Sequence, residues 1–420
     1  MVKLDRQRTI VLAALFIALF FIVAGTHNTV PIFLTPFIKQ YGWPHSRAVM
    51  IPSVFTLIWG LSSPVVGWMV DRFEVHRVMA AGVVITVAGM LLASAAQQFA
   101  PMLSAYVVIG IGSAMASTIP LTVIAARWFG ERRGFAMGVA VAGMSAGGVI
   151  LPPLTDYIIH GASIGAAYIA LSLPIALIAL PLVVFVIRRK PSGVEEPHQG
   201  ETAAADLLPG LDISEALRSV PFWILIAAIY LGSISLASLF YFITPSLIHA
   251  GFTSRNAALV QSGQNLIAVP GLIAAGLLAD RFTGRKVAAA MLAGLGASSI
   301  LLMEAGSVSA AWPFYVGAFM IVFGLTAGVT AAVFPIALAE LVGIKRFGTL
   351  AGLMGLASTI GMATGPILVG RLFESSGNYA VGFEVGAWLC AIAAAMTLSL
   401  TMVSAGAELS PAQIRAAARH

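Results

Sequence analysis

The chain has 420 residues, of which 59% are hydrophobic and only 10% are charged. Soluble domains carry about 25% charged residues, so this composition excludes a soluble globular protein. The net charge of +6 is explained by basic residues beside membrane spans and does not indicate a nucleic-acid-binding surface. The single cysteine, Cys390, excludes an internal disulfide framework and a cysteine-rich metal site.

Apolar runs long enough to cross a bilayer recur along the whole chain. The first run is too long for the core of a signal peptide, which spans about 7–15 residues, and is therefore expected to be retained. The predicted spans are residues 10–37, 47–70, 78–98, 102–126, 134–158, 163–187, 221–248, 256–279, 287–306, 311–339, 348–373 and 379–403. Prolines inside them, such as Pro120, Pro153, Pro335 and Pro366, each remove a backbone hydrogen bond that neighbouring helices must offset.

A charged turn occurs twice in a sequence that has few other charges. After span two it consists of Gly67, Asp71, Arg72 and Arg77. About half a chain length later, after span eight, it returns as Gly276, Asp280, Arg281 and Arg285. This repeat predicts two equivalent halves of six spans each.

A second pair of basic turns supports the repeat. Arg127, Arg132 and Arg133 precede span five, and Lys345 and Arg346 precede span eleven. Glycines recur in both of the spans that follow, and small residues three or four positions apart permit the close approach of helices.

The predicted architecture is an all-α membrane protein with twelve transmembrane helices in two pseudo-symmetric six-helix bundles. The bundles are residues 1–187 and 221–404, joined by a cytoplasmic linker, 188–220, and followed by a cytoplasmic tail, 405–420. This orientation places all but four of the 23 Lys and Arg residues on the cytoplasmic side, the exceptions being Lys39, Arg47, Arg255 and Arg371.

A short helix is predicted inside the linker. Asp212 and Glu215 have the spacing of a capping box, in which each side chain accepts from the other residue's backbone N–H. The predicted helix covers residues 214–218. A flexible linker of this kind permits the two halves to move relative to each other, although it can also be a simple connector.

The repeated Gly-x-x-x-Asp-Arg turn, the number of spans and the linker position resemble the major facilitator superfamily over essentially the whole chain. The turn at Arg127–Gly138 resembles that of monocarboxylate and oxalate/formate transporters. The entry into span seven, Glu215–Trp223, is similar to that of bacterial members of the same group.

The resemblance implies alternating access, in which two bundles rock about a central substrate site. It also implies a gate formed by both charged turns together with Arg127, Arg132 and Arg133. Asp71 is expected to meet a helix N-terminus or an arginine of a neighbouring span. Arg72 and Arg77 are expected to bind C-terminal carbonyls of facing helices. The alternative is that these charges only anchor a loop.

Polar residues within span one are candidates for a substrate site, because ionisable groups are costly in lipid. His27, Asn28 and Thr29 are consecutive there. The histidine is expected to bind a carboxylate as imidazolium or to carry a coupling proton. The alternative is a neutral histidine that donates to a helix carbonyl.

The second half offers candidates in spans seven and eight. Tyr230 and Tyr241 are polar positions of span seven. Gln261, Gln264 and Asn265 lie at positions i, i+3 and i+4 of span eight, so they are predicted to share one face. That face either lines the substrate cavity or makes interhelical hydrogen bonds.

Span eight also departs from the pattern of the resembling group. Monocarboxylate and oxalate transporters usually carry an arginine there that holds the substrate anion, whereas residues 260–279 contain no basic residue. Either His27 and amide donors suffice for a carboxylate, or the substrate is neutral, zwitterionic or bulkier.

These features favour a secondary active transporter that moves a small organic solute, a monocarboxylate or aromatic carboxylate, with a proton. The alternative is a facilitator or exporter of a neutral or drug-like compound. The two intact charged turns disfavour a receptor that moves no solute. No nucleophile constellation, metal-spaced histidine cluster or phosphate loop appears, so neither an enzyme nor an ATP-driven pump is expected.

The expected partners are a small-molecule substrate, a proton and the lipid bilayer, with no nucleic acid, cofactor or metal. We expect a monomer, because twelve spans already enclose a pathway. The expected location is a bacterial inner membrane, with both termini in the cytoplasm.

Overall fold

The computed structural model describes residues 6–129, 132–188, 210–307, 312–343 and 345–404. Twelve helical spans in these ranges are long and apolar enough to cross a membrane. The described residues form no β-strand; an isolated β-bridge joins Gly210 to Gly343. The predicted all-α fold with twelve transmembrane helices is confirmed.

The spans lie within several residues of their predicted positions, with some ends earlier and some later than predicted. They are Arg6–Tyr41, Met50–Arg72, Val75–Ala95, Phe99–Ala125, Arg133–Gly161, Ile164–Ile187, Val220–His249, Leu259–Phe282, Gly284–Ala305, Pro313–Val342, Phe347–Ser376 and Ala380–Thr401. Helical structure extends spans two and eight at their starts, to His45–Arg72 and Ser254–Phe282.

Span one is not a continuous α-helix. Its α-helix Arg6–Val23 widens into a π-helical turn, Ala24–Asn28, and then tightens into a 3₁₀ turn, Val30–Phe33. The hydroxyl of Thr26 donates to the carbonyl of Ile22 at 2.7 Å. Turns of this kind often occur at functional sites, because they redirect side chains and free backbone groups.

Spans four and ten are interrupted at comparable places. Span four stops at Met115 and resumes at Thr118, and span ten contains a π-helical turn, Val329–Val333. Pro120 and Pro335 lie in the first turn of the helix that follows each break. At a helix start the missing N–H of proline has no intrahelical acceptor to lose, so Pro120 does not leave the unsatisfied carbonyl expected from the sequence, whereas Pro335 lies just after the π-helical turn.

An aromatic cluster holds the second part of span one against its own bundle. The hydroxyls of Tyr106 in span four and Tyr168 in span six are hydrogen-bonded at 2.8 Å, and both side chains are buried. The ring of Phe33 stacks on Tyr168 with centroids 4.3 Å apart. The segment after the π-helical turn is therefore fixed to spans four and six by packed rings and a satisfied polar pair.

The chain enters the second bundle through the predicted short helix, which is observed at Ile213–Arg218 with the complete capping box. Asp212 accepts from Lys345 Nζ at 2.9 Å, and the N–H of Leu211 donates to the carbonyl of Val342 at 2.8 Å. This entry segment is thus attached to the turn between spans ten and eleven. Residues 189–209 of the predicted linker and the predicted tail, 405–420, lie outside the described residues.

Candidate functional site

A cavity of about 260 Å³ lies between the two halves. It forms where the interruptions of three spans meet: His27 and Asn28 from span one, Ser117 and Thr118 from span four, and Gly328 and Thr330 from span ten all line it. Interrupted helices at the interface of two repeats are the usual surroundings of a transporter's substrate site.

The described lining of the cavity carries no full charge. None of the lining residues is Asp, Glu, Lys or Arg, and His27 is the one titratable side chain among them. Most of the remaining wall is apolar or hydroxylic, including Trp59, Phe240 and Phe323. Such a wall suits a small, partly apolar solute whose orientation is set by a few polar contacts.

His27 lies against aromatic rings of span two. Its ring centroid is 4.9 Å from that of Trp59 and 6.0 Å from that of Phe55, both in edge-on geometry. The indole N–H of Trp59 donates to the hydroxyl of Ser117 at 3.3 Å. Trp59 therefore connects the breaks of spans one and four through one side chain.

Asn28 faces span five. Its Nδ2 donates to the carbonyl of Met144 at 3.3 Å, and its side chain occupies the space above Gly148, where a Cβ would collide with it. A glycine at position 148 is therefore required if Asn28 is to reach the cavity wall.

Span eight contributes two adjacent amides. Gln264 Nε2 donates to Asn265 Oδ1 at 2.9 Å, and both residues line the cavity. Gln264 is buried and Asn265 is half-buried. The described cavity wall contains no arginine from span eight, where monocarboxylate and oxalate transporters usually carry one.

Four candidates are not brought to the cavity. Thr29 is buried and its hydroxyl donates to the carbonyl of Gly25 at 2.7 Å, so it serves its own helix. Tyr230, Tyr241 and Gln261 do not line the cavity. From span seven the wall receives Ile229 and Phe240 instead, each one residue before a tyrosine and thus about 100° away on the helix.

Other lining residues were not predicted. Span two presents Thr56, Trp59 and Ser63, and span eleven presents Ser358, Thr359 and Met362. The spacing of i, i+3 and i+7 in span two is a helical stripe of polar and aromatic residues, and it was the signal available in the sequence.

Both charged turns contact the opposite bundle through their aspartates. Asp71 accepts from the backbone N–H groups of Gly348 and Thr349 at 2.8 and 2.7 Å, and from the Thr349 hydroxyl at 2.7 Å. Asp280 accepts from the N–H groups of Gly134 and Phe135, both at 2.7 Å. In each case a carboxylate binds the N-terminus of a long helix, where unpaired N–H groups and the helix dipole favour an anion.

Glycines make these contacts possible. A Cβ on Gly67 would meet the backbone of Gly348, and a Cβ on Gly276 would meet the backbone of Gly134. Spans two and eleven, and spans eight and five, thus touch backbone to backbone at this end. We therefore describe the structure as closed at the end that carries the charged turns.

The basic residues of the turns make mostly local contacts. Arg72 lies over the ring of Trp68 at 5.4 Å, Arg281 lies over Phe282 at 5.4 Å, and Arg77 pairs with Glu74 at 2.6 Å. These contacts are within a turn and its adjoining helix ends, and differ from the expected contacts of Arg72 and Arg77 with facing helices.

The remaining predicted gate residues surround Asp280 and span twelve. Arg285 donates to the carbonyl of Leu400 at 2.8 Å, near the end of span twelve. Arg132 is exposed and Arg133 half-buried at the start of span five, and both interact electrostatically with Asp280. The side chain of Arg127 lies outside the described part of the structure.

Comparisons with known proteins agree with this architecture. Monocarboxylate transporter 13 of Bos taurus is 28% identical over 375 residues, which cover 88% of this chain and 84% of the relative. An uncharacterised MFS-type transporter of Bacillus subtilis, YcxA, is 24% identical over 358 residues, covering 84% and 85%.

A solved structure shares the fold. The crystal structure of the E. coli fucose:proton symporter FucP superimposes with a TM-score of 0.73 at 15% identity, covering 94% of this chain and 99% of that one. Residues 15–266 match the Major Facilitator Superfamily. The chain is an integral membrane transporter and not an enzyme, because it belongs to the Major Facilitator Superfamily.

Proposed function

We propose that this protein carries a monocarboxylate or an aromatic carboxylate across a bacterial inner membrane together with a proton, by alternating access. The observation that carries the proposal is the cavity at the breaks of spans one, four and ten, in which His27 is the one titratable group of the described wall. Rings such as Trp59 suit the apolar body of an organic acid. Several relatives are named monocarboxylate transporters.

The contacts of Asp71 and Asp280 supply the gate of this proposal. With both termini in the cytoplasm, the charged turns face inward, and the described structure is closed to the cytoplasm. Opening toward that side requires the two carboxylates to leave the helix N-termini that they bind. The protein acts as a monomer, because one chain encloses the cavity and supplies both charged turns of the gate.

A second candidate, a facilitator or exporter of a neutral or drug-like compound, is favoured by a different observation. The described cavity wall contains no Arg or Lys that offsets the charge of an anion. Burying an unpaired carboxylate is costly. An uncharged solute avoids that cost altogether.

Uptake by purified protein in proteoliposomes tests the proposal. With an acidic exterior and a neutral interior, we expect labelled benzoate or lactate to accumulate, and a protonophore to abolish the accumulation. His27→Gln should lower uptake by at least tenfold because it alters the cavity wall. His160→Gln is the matched control, since His160 is exposed and pairs with Asp156 away from the cavity.

Two results would contradict the proposal. If the pH gradient fails to drive uptake of any monocarboxylate while neutral aromatic compounds equilibrate through the protein, the second candidate replaces it. If His27→Gln and His160→Gln behave alike, His27 has no part in the site.

A further inference from the structure

We infer, resting on the proposed function, that Gln264 and Asn265 bind the carboxyl group of the substrate in its uncharged, protonated form. The transported proton is then carried on the substrate itself. The same pair accepts a primary carboxamide of the same shape.

The inference begins with the hydrogen bond between the two amides. Gln264 Nε2 donates to Asn265 Oδ1 at 2.9 Å. This bond leaves one amide oxygen and one amide NH₂ group of the pair for a ligand, and both residues line the cavity. This outcome is the same whichever of the two amides is the donor, because each amide has one acceptor and one donor group.

A protonated carboxyl group fits this pattern. It presents an O–H donor next to a carbonyl acceptor, whereas a carboxylate presents acceptors only. A carboxylate oxygen placed against the free amide oxygen would therefore meet an unfavourable contact. A primary carboxamide has an N–H donor beside a carbonyl and forms the same two hydrogen bonds.

The charges around span eight support the uncharged form. Spans five, seven, nine and ten pack against it, and none of them contributes a described acidic or basic side chain to the cavity wall; Met144, Phe240 and Thr330 line it from spans five, seven and ten. Asp156 in span five and Glu304 in span nine do not line the cavity. His27 of span one is the single titratable group of the described lining.

A buried carboxylate needs a cationic partner, since an ion without a partner is costly to desolvate. A neutral acid avoids this cost and also explains how a site without an arginine can serve an acid. In this arrangement His27 contributes a hydrogen bond and shape, not charge.

Binding of labelled benzoate and benzamide to the purified full-length protein tests the inference. The neutral fraction of a carboxylic acid with a pKa of about 4 rises about a hundredfold from pH 7.5 to pH 5.5. We therefore expect the apparent affinity for benzoate to rise about a hundredfold over this range, and that for benzamide to stay constant.

Variants of span eight complete the test. Asn265→Leu and Gln264→Met should weaken both probes by about tenfold or more at pH 5.5, because the amide pattern is lost. Gln261→Met is the matched control, an amide one turn away that does not line the cavity, and should change neither. His27→Gln should weaken both probes by the same factor.

Three outcomes would overturn the inference while leaving proton-driven uptake intact. The first is equal binding of benzoate at both pH values. The second is a loss of affinity in Gln261→Met as large as in Asn265→Leu. The third is loss of benzoate binding alone in His27→Gln, which would place the pairing charge on the imidazole. Absence of binding by both probes would also overturn it. Absence of proton-driven uptake of every monocarboxylate would instead overturn the proposed function.

Discussion

The two charged turns are alike where they meet the opposite bundle and different where they join their own. Asp71 and Asp280 bind helix N-termini in nearly the same way. Behind Asp280, the N–H of Gly284 donates to Glu340 at 2.7 Å and Arg285 lies 3.6 Å from the same carboxylate. This network connects the turn to spans nine, ten and twelve.

The first turn is held to its own bundle by a more exposed ion pair. Glu74 occupies the position that Thr283 has in the second turn, and it pairs with Arg77, which is largely exposed. Its backbone is relaxed at φ −62°, whereas Thr283 has φ 123°, a region that favours glycine. The interface between the bundles is therefore nearly symmetric while its support is not, since the second bundle fixes its turn firmly enough to hold strained backbone.

The largest effect is expected where the backbones touch. In Gly348→Ala the new Cβ would meet the backbone of Gly67, so the turns cannot close and uptake should fall by at least tenfold. Gly370→Ala in the same span is the control, because a Cβ there meets nothing within 4 Å. Equal uptake by the two variants would show that close approach is not needed.

A large effect on stability is expected from the support of the second turn. Glu340→Gln leaves Arg285 without its carboxylate; their side chains are only 16% and 12% exposed, so the variant should lose about 3 kcal/mol. Glu74→Gln breaks a pair with Arg77, whose side chain is 68% exposed, and should lose less than about 1 kcal/mol. Thermal unfolding in detergent measures both losses, and equal losses would contradict the asymmetry of support.

A smaller effect is expected from the aspartates themselves. Asp71→Asn and Asp280→Asn each remove charge-assisted bonds and should destabilise the closed state by about 2 kcal/mol, with Asp71→Asn the greater because Asp71 accepts three bonds. Spin labels at Phe73 and Phe282, both exposed, report the distance between the turns in a Cys390→Ser background. An unchanged distance distribution in both variants would argue for a simple loop anchor.

The smallest effect is expected from Thr349→Val. This change removes only the hydroxyl bond to Asp71 and leaves both backbone bonds, so about 1 kcal/mol of the closed state should be lost. Thr349→Val leaves Asp71 with two backbone hydrogen bonds, as many as Asp280 accepts. The same pair of spin labels should therefore show only a small shift in the distance between the turns. A shift as large as that of Asp71→Asn would mean that the hydroxyl, not the helix N-terminus, dominates the contact.

Much of the fold could be predicted from the sequence, because apolar runs and charged turns are properties of local composition. The short capped helix at Ile213–Arg218 was also predictable, since capping depends on residues three positions apart. The interruptions of spans one, four and ten were not. A π-helical turn depends on packing between helices that are distant in sequence, so no local residue spacing predicts it.

The site residues were predictable where exposing a polar side chain to lipid would be costly. His27, Asn28, Gln264 and Asn265 line the cavity for that reason. Tyr230 and Tyr241 do not line it, because a tyrosine is also compatible with other faces of a helix. An error of one residue in assigning the inward face of the helix is enough to point a side chain away from the cavity. Their placement needed the packing of span seven, which sequence spacing alone does not supply.

The entry segment of the second bundle has a consequence for how this chain can change over evolutionary time. Gly210 bridges to Gly343, and Asp212 is tied to Lys345, so the start of the second half is fixed by contacts inside that half. Insertions or deletions among residues 189–209 leave those contacts in place. The position at which span seven begins is thus set within the second half, and a change in the length of the connecting peptide does not alter it.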